Sequence, residues 1–379
     1  MKLPRHRLFV LGAGFSAPAG LPLAKGLLDA VRDHVRSSYR SRAGWDGPLE
    51  DEIEEWGALY PGESVDLERV LAYSHRKHFL RLLGSKEYFA HGSRSIAASR
   101  RAIQEVLLRK TPIETPSLYQ AFARQLTPSD VVLTFNYDTL LEQALEDVER
   151  PYSLTPEWWL DDCPDGGRCV DVLKLHGSID WYDRHYHDDA NAWFEEEGHE
   201  VPDRDPLFGP NASVMIESLA RGPVEAYGAS LLPRVFRVPR LRDHFPLRGR
   251  HAFDLVPFIL PLAYDKLLGH DPILDLWENL HRTLDAYSAI IMIGYSLPMY
   301  DSYAYEALGH LMTGYQCGGE RTYWGQRRVP IQLVTLAAPG TNGLEGIPFL
   351  DPRQVRVWSG GFSADALEWV DWGEDNLAE

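Results

Sequence analysis

Six short apolar runs recur along the chain, each ending in small or polar residues: RLFVLGAG (7–14), DVVLTFNYD (130–138), DVLKLHGS (171–178), FILPL (258–262), AIIMIGYSL (289–297) and IQLVTLAAP (331–339). Runs that are apolar on both faces suit strands of a parallel sheet covered by helices on each side. Between several of them the apolar positions recur with a helical period, as in TLLEQALEDV after the second run and PILDLWENLHRTLDAYS before the fifth. The expected architecture is α/β, a Rossmann-like and mostly parallel sheet with helices on both faces.

The spacing of these runs is uneven. More than a hundred residues separate the first from the second, and GLLDAVRDHVRSSYR and SRSIAASRRAIQEVLLRK within them are helical in period. A large helical insertion is therefore expected at 27–128. A second, irregular insertion is expected at 183–255, where acidic, aromatic and then basic residues dominate. The whole of 1–379 reads as one domain carrying these two insertions, without internal repeats or low-complexity tracts.

The first run enters LFVLGAGFSAPAGLP, in which Gly12, Gly14 and Ala17 satisfy a G-x-G-x-x-A spacing. Glycines at a strand-to-helix corner permit backbone angles and close approaches that a side chain blocks, and the helix N–H groups beyond can face an anion. A phosphate-bearing ligand is the first expectation. In a hydride-transfer domain a second strand would follow soon and end in an acid for the ribose. Asp29 and Asp33 lie near that distance, but both fall inside the helical GLLDAVRDHV, which removes support for that chemistry.

Composition narrows the classes. The chain is 44% hydrophobic and 25% charged, as soluble globular proteins are. It has no apolar run long enough to span a bilayer and no signal-peptide pattern, so a cytoplasmic address and no membrane partner are expected. Cys163, Cys169 and Cys317 are too few and scattered for a disulfide framework or a four-thiolate zinc site, and read as reduced. The net charge of −17 argues against direct nucleic-acid binding. RVFRVPRLRDHFPLRGR (234–250) reads as a solvated basic loop or an ion-pairing segment before a polyanion contact. HYHDD (His185–Asp189) imitates a metal cluster without a helical i, i+4 ligand pair, and no metal is expected.

In open α/β sheets ligands sit beyond the carboxyl ends of the strands. Those tips read Gly12-Ala13-Gly14-Phe15-Ser16, Thr134-Phe135-Asn136-Tyr137-Asp138, Lys174-Leu175-His176-Gly177-Ser178 and Gly294-Tyr295-Ser296-Leu297. With GAGFSAPAGLP, TFNYD, KLHGSIDW and IGYSLP in this order, the chain resembles the sirtuin superfamily. NYD and KLHGSIDW resemble the divergent bacterial sirtuin-like branch of antiphage defence systems. The chain departs from protein-deacylating sirtuins in having no Cys-x-x-Cys pair, hence no zinc-ribbon module, and no Asp-Phe-Arg after its Leu21-Pro22. The late run LVTLAAP also lacks the family's asparagine for the adenosine end.

The resemblance implies NAD as substrate. Gly12, Ala13, Gly14, Phe15, Ser16, Asn136, Gly294 and Ser296 would bind it, the serines and glycines lining the pyrophosphate. Asn136, His176 and Asp138 would be catalytic. Asn136 would orient a water at the nicotinamide ribose, or else satisfy its own strand-to-helix turn. His176 would bond ribose hydroxyls and take a proton, or else be a buried structural histidine. Asp138 would hold the nicotinamide amide, or else cap the helix TLLEQAL. Trp181 reads as core or pocket wall.

The function these expectations describe is an NAD+ hydrolase releasing nicotinamide and ADP-ribose, a toxic NAD-depleting effector of antiphage defence. An NAD-dependent deacylase and a non-catalytic NAD or ADP-ribose sensor are the alternatives. Relatives are held idle by assembly or by partners, so a homo-oligomer, a HerA-type hexameric ATPase or an Argonaute-like protein is implied. The chain has no G-x-x-x-x-G-K-[ST] loop of its own.

Overall fold

The computed structural model describes residues 6–38, 47–82, 94–154, 169–196, 198, 205–219, 234–247, 255–260, 286–298, 301–323, 325–336 and 347–373. The first strand, β1 (Arg7–Leu11), turns into a single helical turn, α1 (Ala13–Ser16). Five longer helices follow: α2 (Ala24–Ser38), α3 (Gly47–Leu59), α4 (Leu67–Phe79), α5 (Arg94–Lys110) and α6 (Ser117–Gln125). Then come β2 (Val131–Thr134), α7 (Leu140–Asp147), β3 (Tyr152–Ser153), β4 (Val170–Lys174), β5 (Trp181–Asp183) and α8 (Arg184–Glu196). The chain continues through β6 (Glu217–Ser218), β7 (Val235–Arg237), α9 (Leu241–His244) and β8 (Ala289–Ile293). It ends with α10 (Ser302–Cys317), β9 (Ile331–Val334), β10 (Val355–Trp358) and α11 (Ala364–Trp369).

These elements form two compact units. The first joins Met1–Leu21, Thr111–His176 and Ile273–Glu379. It holds a seven-stranded sheet in the order β10-β9-β8-β1-β2-β4-β3, with every pairing parallel. The apolar runs explain the middle of the sheet: RLFVL of β1, AIIMI of β8 and IQLV of β9 are buried at every position. Helices supply the cover. Leu140, Leu141, Ala144 and Leu145 make one buried stripe on α7, and Ala304, Leu308, Leu311, Met312 and Tyr315 make another on α10.

The second unit joins Pro22–Lys110 and Gly177–Pro272. In it α2 packs on α4 and α5, and α3 packs on the same two helices. The buried Glu52 of α3 accepts hydrogen bonds from Ser74 of α4 and Ser95 of α5. Of the stretch expected as a second insertion, 183–255, the structure describes 183–196, 198, 205–219, 234–247 and 255. That stretch contains α8, which makes HYHDD helical and, against expectation, sets His185 and Asp189 four residues apart on it, and strands β6 and β7, which with β5 form a small antiparallel sheet in the order β5-β7-β6. Among its buried polar groups, His187 lies 2.6 Å from Asp205, and Arg237 pairs with Asp180 at 2.8 Å. Of the described arginines in the arginine-rich stretch, Arg234 and Arg237 are ion-paired, Arg234 with Asp183 at 3.1 Å, Arg242 donates to the Leu108 carbonyl at 2.8 Å, and Arg240 is exposed. Arg248 and Arg250 lie outside the described residues.

Three expectations need correction. The described part of FILPL, Phe258–Leu260, is no strand of the parallel sheet: Ile259 makes an isolated antiparallel bridge to Gly177, and the run is too short to distinguish a bridge from a strand by pattern. Cys169 is disulfide-bonded, its partner lying outside the described residues, whereas Cys317 is free and exposed. The edge strands β3 and β10 were not foreseen, because two residues carry no period and β10 is only half-buried. Most of PILDLWENLHRTLDAYS lies outside the described residues, and among those described no helix is long and apolar enough to cross a membrane.

At the start of β1 the wholly buried Arg7 forks onto Asp130, with Nε to Oδ1 at 2.8 Å and Nη2 to Oδ2 at 2.5 Å. It also donates to the carbonyls of Gln125 and Trp372. Removing one partner of a buried ion pair leaves the other charge uncompensated. Arg7→Ala is expected to lower the unfolding free energy by about 3–5 kcal/mol, read from the urea midpoint; a loss below about 1 kcal/mol, the size of an exposed pair, would contradict this role.

Candidate functional site

Four strand tips leave the first unit's sheet side by side. Leu11 pairs with Ile293 on one side and Thr134 on the other, and Thr134 pairs with Lys174, so Gly12, Phe135, Leu175 and Gly294 follow at one edge. Strand β1 has β2 on one flank and β8 on the other, and from it the chain winds outward in both directions. That is a topological switch point, the place where open α/β sheets leave a crevice for ligand.

The glycines pack the turns at this point against each other. Gly12 N–H donates to the Ile293 carbonyl at 3.0 Å, Gly14 N–H to the Gly294 carbonyl at 2.9 Å, and Phe15 N–H to the Gly12 carbonyl at 2.8 Å. A Cβ on Gly12 would stand 2.6 Å from Tyr295 Cα, and one on Gly14 would stand 2.6 Å from Gly294 Cα. Gly294 has φ +64 and would meet Gly14 C at 2.3 Å. The close approach anticipated for a ligand is thus made first by backbone on backbone. Because α1 is four residues long and three of the turn's amides already have carbonyl partners, an anion here would rely on the Ala13 N–H and on hydroxyls.

Those hydroxyls and the neighbouring amide are tied together. Asn136 Nδ2 donates to the Gly12 carbonyl at 3.0 Å and to Ser16 Oγ at 3.1 Å, while its backbone N–H donates to Thr134 Oγ1. Asn136 therefore couples the tip of β2 to the glycine turn, and its Oδ1 is the acceptor it can offer a ligand. Ser16 is buried, whereas Ser296 is exposed beside Gly294. Phe15 lies in an aromatic cluster with Tyr119, Phe122 and Phe362, and its carbonyl accepts from the Tyr119 hydroxyl. Its side chain is core; what it contributes at the edge is the position of its neighbours.

Asp138 stands one residue before Thr139, the N-cap of α7, and its Oδ1 accepts from Leu140 N–H at 3.1 Å. Burial pushes its carboxyl pKa up, opposed by the charge of Lys174, the Leu140 N–H and the Ser16 hydroxyl. Lys174 is itself wholly buried. It donates to Glu142 Oε1 at 2.7 Å and to the Asp138 carbonyl at 2.6 Å, which fixes the loop between β2 and α7 from beneath.

His176 is 1% exposed, and its Nε2 lies 3.1 Å from Oδ2 of the fully buried Asp301. The Tyr295 hydroxyl donates to the same oxygen at 3.3 Å. Phe135 stacks on Tyr295, with centroids 4.1 Å apart and rings 4° from parallel, and meets the His176 ring edge-on at 4.8 Å. Sequence reading missed Asp301. Standing directly before the helical SYAYEALGHLM, it carries the signal of an ordinary helix cap.

The described residues of the first unit thus bring Asn136, Asp138 and His176 to the edge that holds Gly12–Ser16 and Gly294–Ser296. Trp181 is a core residue of the second unit. Among the described residues no three His, Cys, Asp or Glu side chains could hold a metal ion.

Residues 130–192 match a family model described as a SIR2-like domain. No curated protein matches the chain. Solved structures with some likeness include a Sir2 homologue mutant in complex with 2'-O-acetyl ADP ribose, at 16% identity over 94% of this chain and 86% of that one, TM-score 0.35. A Sir2 homologue–NAD complex matches at 16% identity over 93% and 83%, TM-score 0.35. A complex of Sir2 with a p53 peptide and NAD+ matches at 14% identity over 96% and 91%, TM-score 0.34.

Two outcomes follow from this geometry. Gly14→Ala forces a Cβ onto backbone and is expected to lower stability by about 1–3 kcal/mol, seen as a fall in thermal midpoint. Gly26→Ala, whose Cβ would meet nothing nearer than 3.7 Å, is the tolerated control. Because burial raises the Asp138 pKa, the folded state binds the extra proton, and wild-type stability falls as pH rises from the ordinary carboxylate value of 3.8 through the raised one. Asp138→Asn removes that loss, so its stability relative to wild type should grow across the same pH interval and then level off, as followed by urea unfolding at a series of pH values.

Proposed function

We propose that this chain, which carries a SIR2-like domain matched over residues 130–192, is an NAD+ glycohydrolase. The observation that carries the reading is the convergence of Asn136, Asp138 and His176 with the two glycine-bearing turns at one switch point. The bond between nicotinamide and ribose breaks with its electron pair going to the nicotinamide nitrogen, which leaves neutral. Water then bonds to the cation-like anomeric carbon and loses a proton, giving ADP-ribose. Such a transition state resembles that of glycoside hydrolysis. It asks for fixed substrate geometry, polar groups near the positive charge and an oriented water, and needs no protein nucleophile.

In this reading Asn136 Oδ1 orients the water or a ribose hydroxyl, and His176 takes the proton. Asp138 holds the carboxamide of nicotinamide. Gly12 to Ser16, with Gly294 and Ser296, face the pyrophosphate. We read the biological output as toxic NAD depletion in the bacterial cytoplasm during antiphage defence. Activity would be restrained by self-assembly, or by a partner such as a HerA-type hexameric ATPase or an Argonaute-like protein. The net charge of −17 supports protein partners over direct contact with nucleic acid.

The test is to follow NAD by chromatography with the purified protein, alone and with its genomic neighbour. Nicotinamide and ADP-ribose are expected in equal amounts. Asn136→Ala and His176→Ala are each expected to lower turnover roughly a hundredfold to a thousandfold while a circular-dichroism melt still shows a folded protein. Nicotinamide release that depends on an acylated peptide would make the protein a deacylase instead. NAD that stays bound and uncleaved would make it a sensor.

A further inference from the structure

Asp301 occupies the N-cap position of α10, yet its side chain makes no capping hydrogen bond. Aspartate is among the preferred capping residues, and a helix without its cap is less stable. The carboxylate instead lies fully buried, with Oδ2 shared by His176 Nε2 at 3.1 Å and the Tyr295 hydroxyl at 3.3 Å. A buried carboxylate is costly unless hydrogen-bonded. A fold that withholds this one from its own helix and aims it at a histidine has a use for it there.

We infer that Asp301 is the positioning residue of His176. By accepting from Nε2–H it fixes the imidazole tautomer, so that the lone pair falls on Nδ1, and it stabilises the imidazolium that forms when a proton is taken. The Phe135 edge and the Phe135–Tyr295 stack hold the ring's orientation. Among the described residues the titratable groups facing the imidazole are Asp301 before α10, Tyr295 after β8 and Tyr137 after β2, whose ring centroid is 6.1 Å away. The kinetic part of this inference rests on the NAD+ hydrolase reading; the assignment of the tautomer does not.

The experiment is nitrogen NMR of the histidine-labelled protein, with His176 identified by its loss in His176→Ala, run beside NAD turnover. In wild type the ring should show the Nε2–H tautomer. Asp301→Asn should lower the pH at which the ring protonates, while Tyr295→Phe, which removes a donor from the carboxylate, should raise it. In turnover, Asp301→Asn should lower kcat on the order of a hundredfold, with KM changed less than about threefold. The acid limb of its pH profile should move to lower pH, and Asp301→Glu should restore part of the rate. An Nδ1–H tautomer in wild type, or a His176 titration unmoved by both Asp301→Asn and Tyr295→Phe, overturns the inference. If wild type cleaves no NAD while the ring responds as described, the hydrolase reading fails and the positioning role stands.

Discussion

The contact on which the candidate site depends is a meeting of two bare backbones. The turn after β1 and the turn after β8 approach so closely that a Cβ on Gly12, Gly14 or Gly294 would lie 2.3–2.7 Å from main-chain or Cβ atoms across the gap. With no side chains between them, the turns are cross-linked by amide-to-carbonyl hydrogen bonds at 2.9 and 3.0 Å. Asn136 extends the join to β2 through the Gly12 carbonyl and the Ser16 hydroxyl. Three adjacent strand ends are thereby held in one arrangement before any ligand arrives, which is what electrostatic preorganisation requires of a scaffold.

Polar groups beneath this join are buried in matched sets. Lys174 and Glu142 neutralise each other at 0% and 1% exposure, and the lysine's remaining reach holds the Asp138 carbonyl. His176 and Asp301 form the second set. Buried pairs of this kind add little net stability, because desolvation offsets their attraction, yet losing one member is expensive. Their value lies in geometry: each set allows a single placement of the loop that carries it.

Much of this was legible in the sequence, for identifiable reasons. Strands buried on both faces leave continuous apolar runs, so the five centred on Phe9, Val132, Val172, Ile291 and Leu333 stood out, and the polar tips of four of them drew attention to the candidate site. The helices α2, α5 and α7 followed from their apolar period. Partners across the fold left no such trace. The ion pair of Lys174 with Glu142 spans thirty-two positions and that of His176 with Asp301 spans 125, and only folding reveals them. FILPL misled because burial alone makes a short apolar run, whatever its pairing.

Arg7 gives the architecture a practical consequence. The guanidinium that opens β1 grips the carbonyl of Trp372, 365 positions away, in the same grasp as Asp130 and Gln125. The central strand is thus buckled to the far end of the described chain. An affinity handle or a protease nick introduced around residue 372 would disturb a buried contact made by the first residue of the central strand.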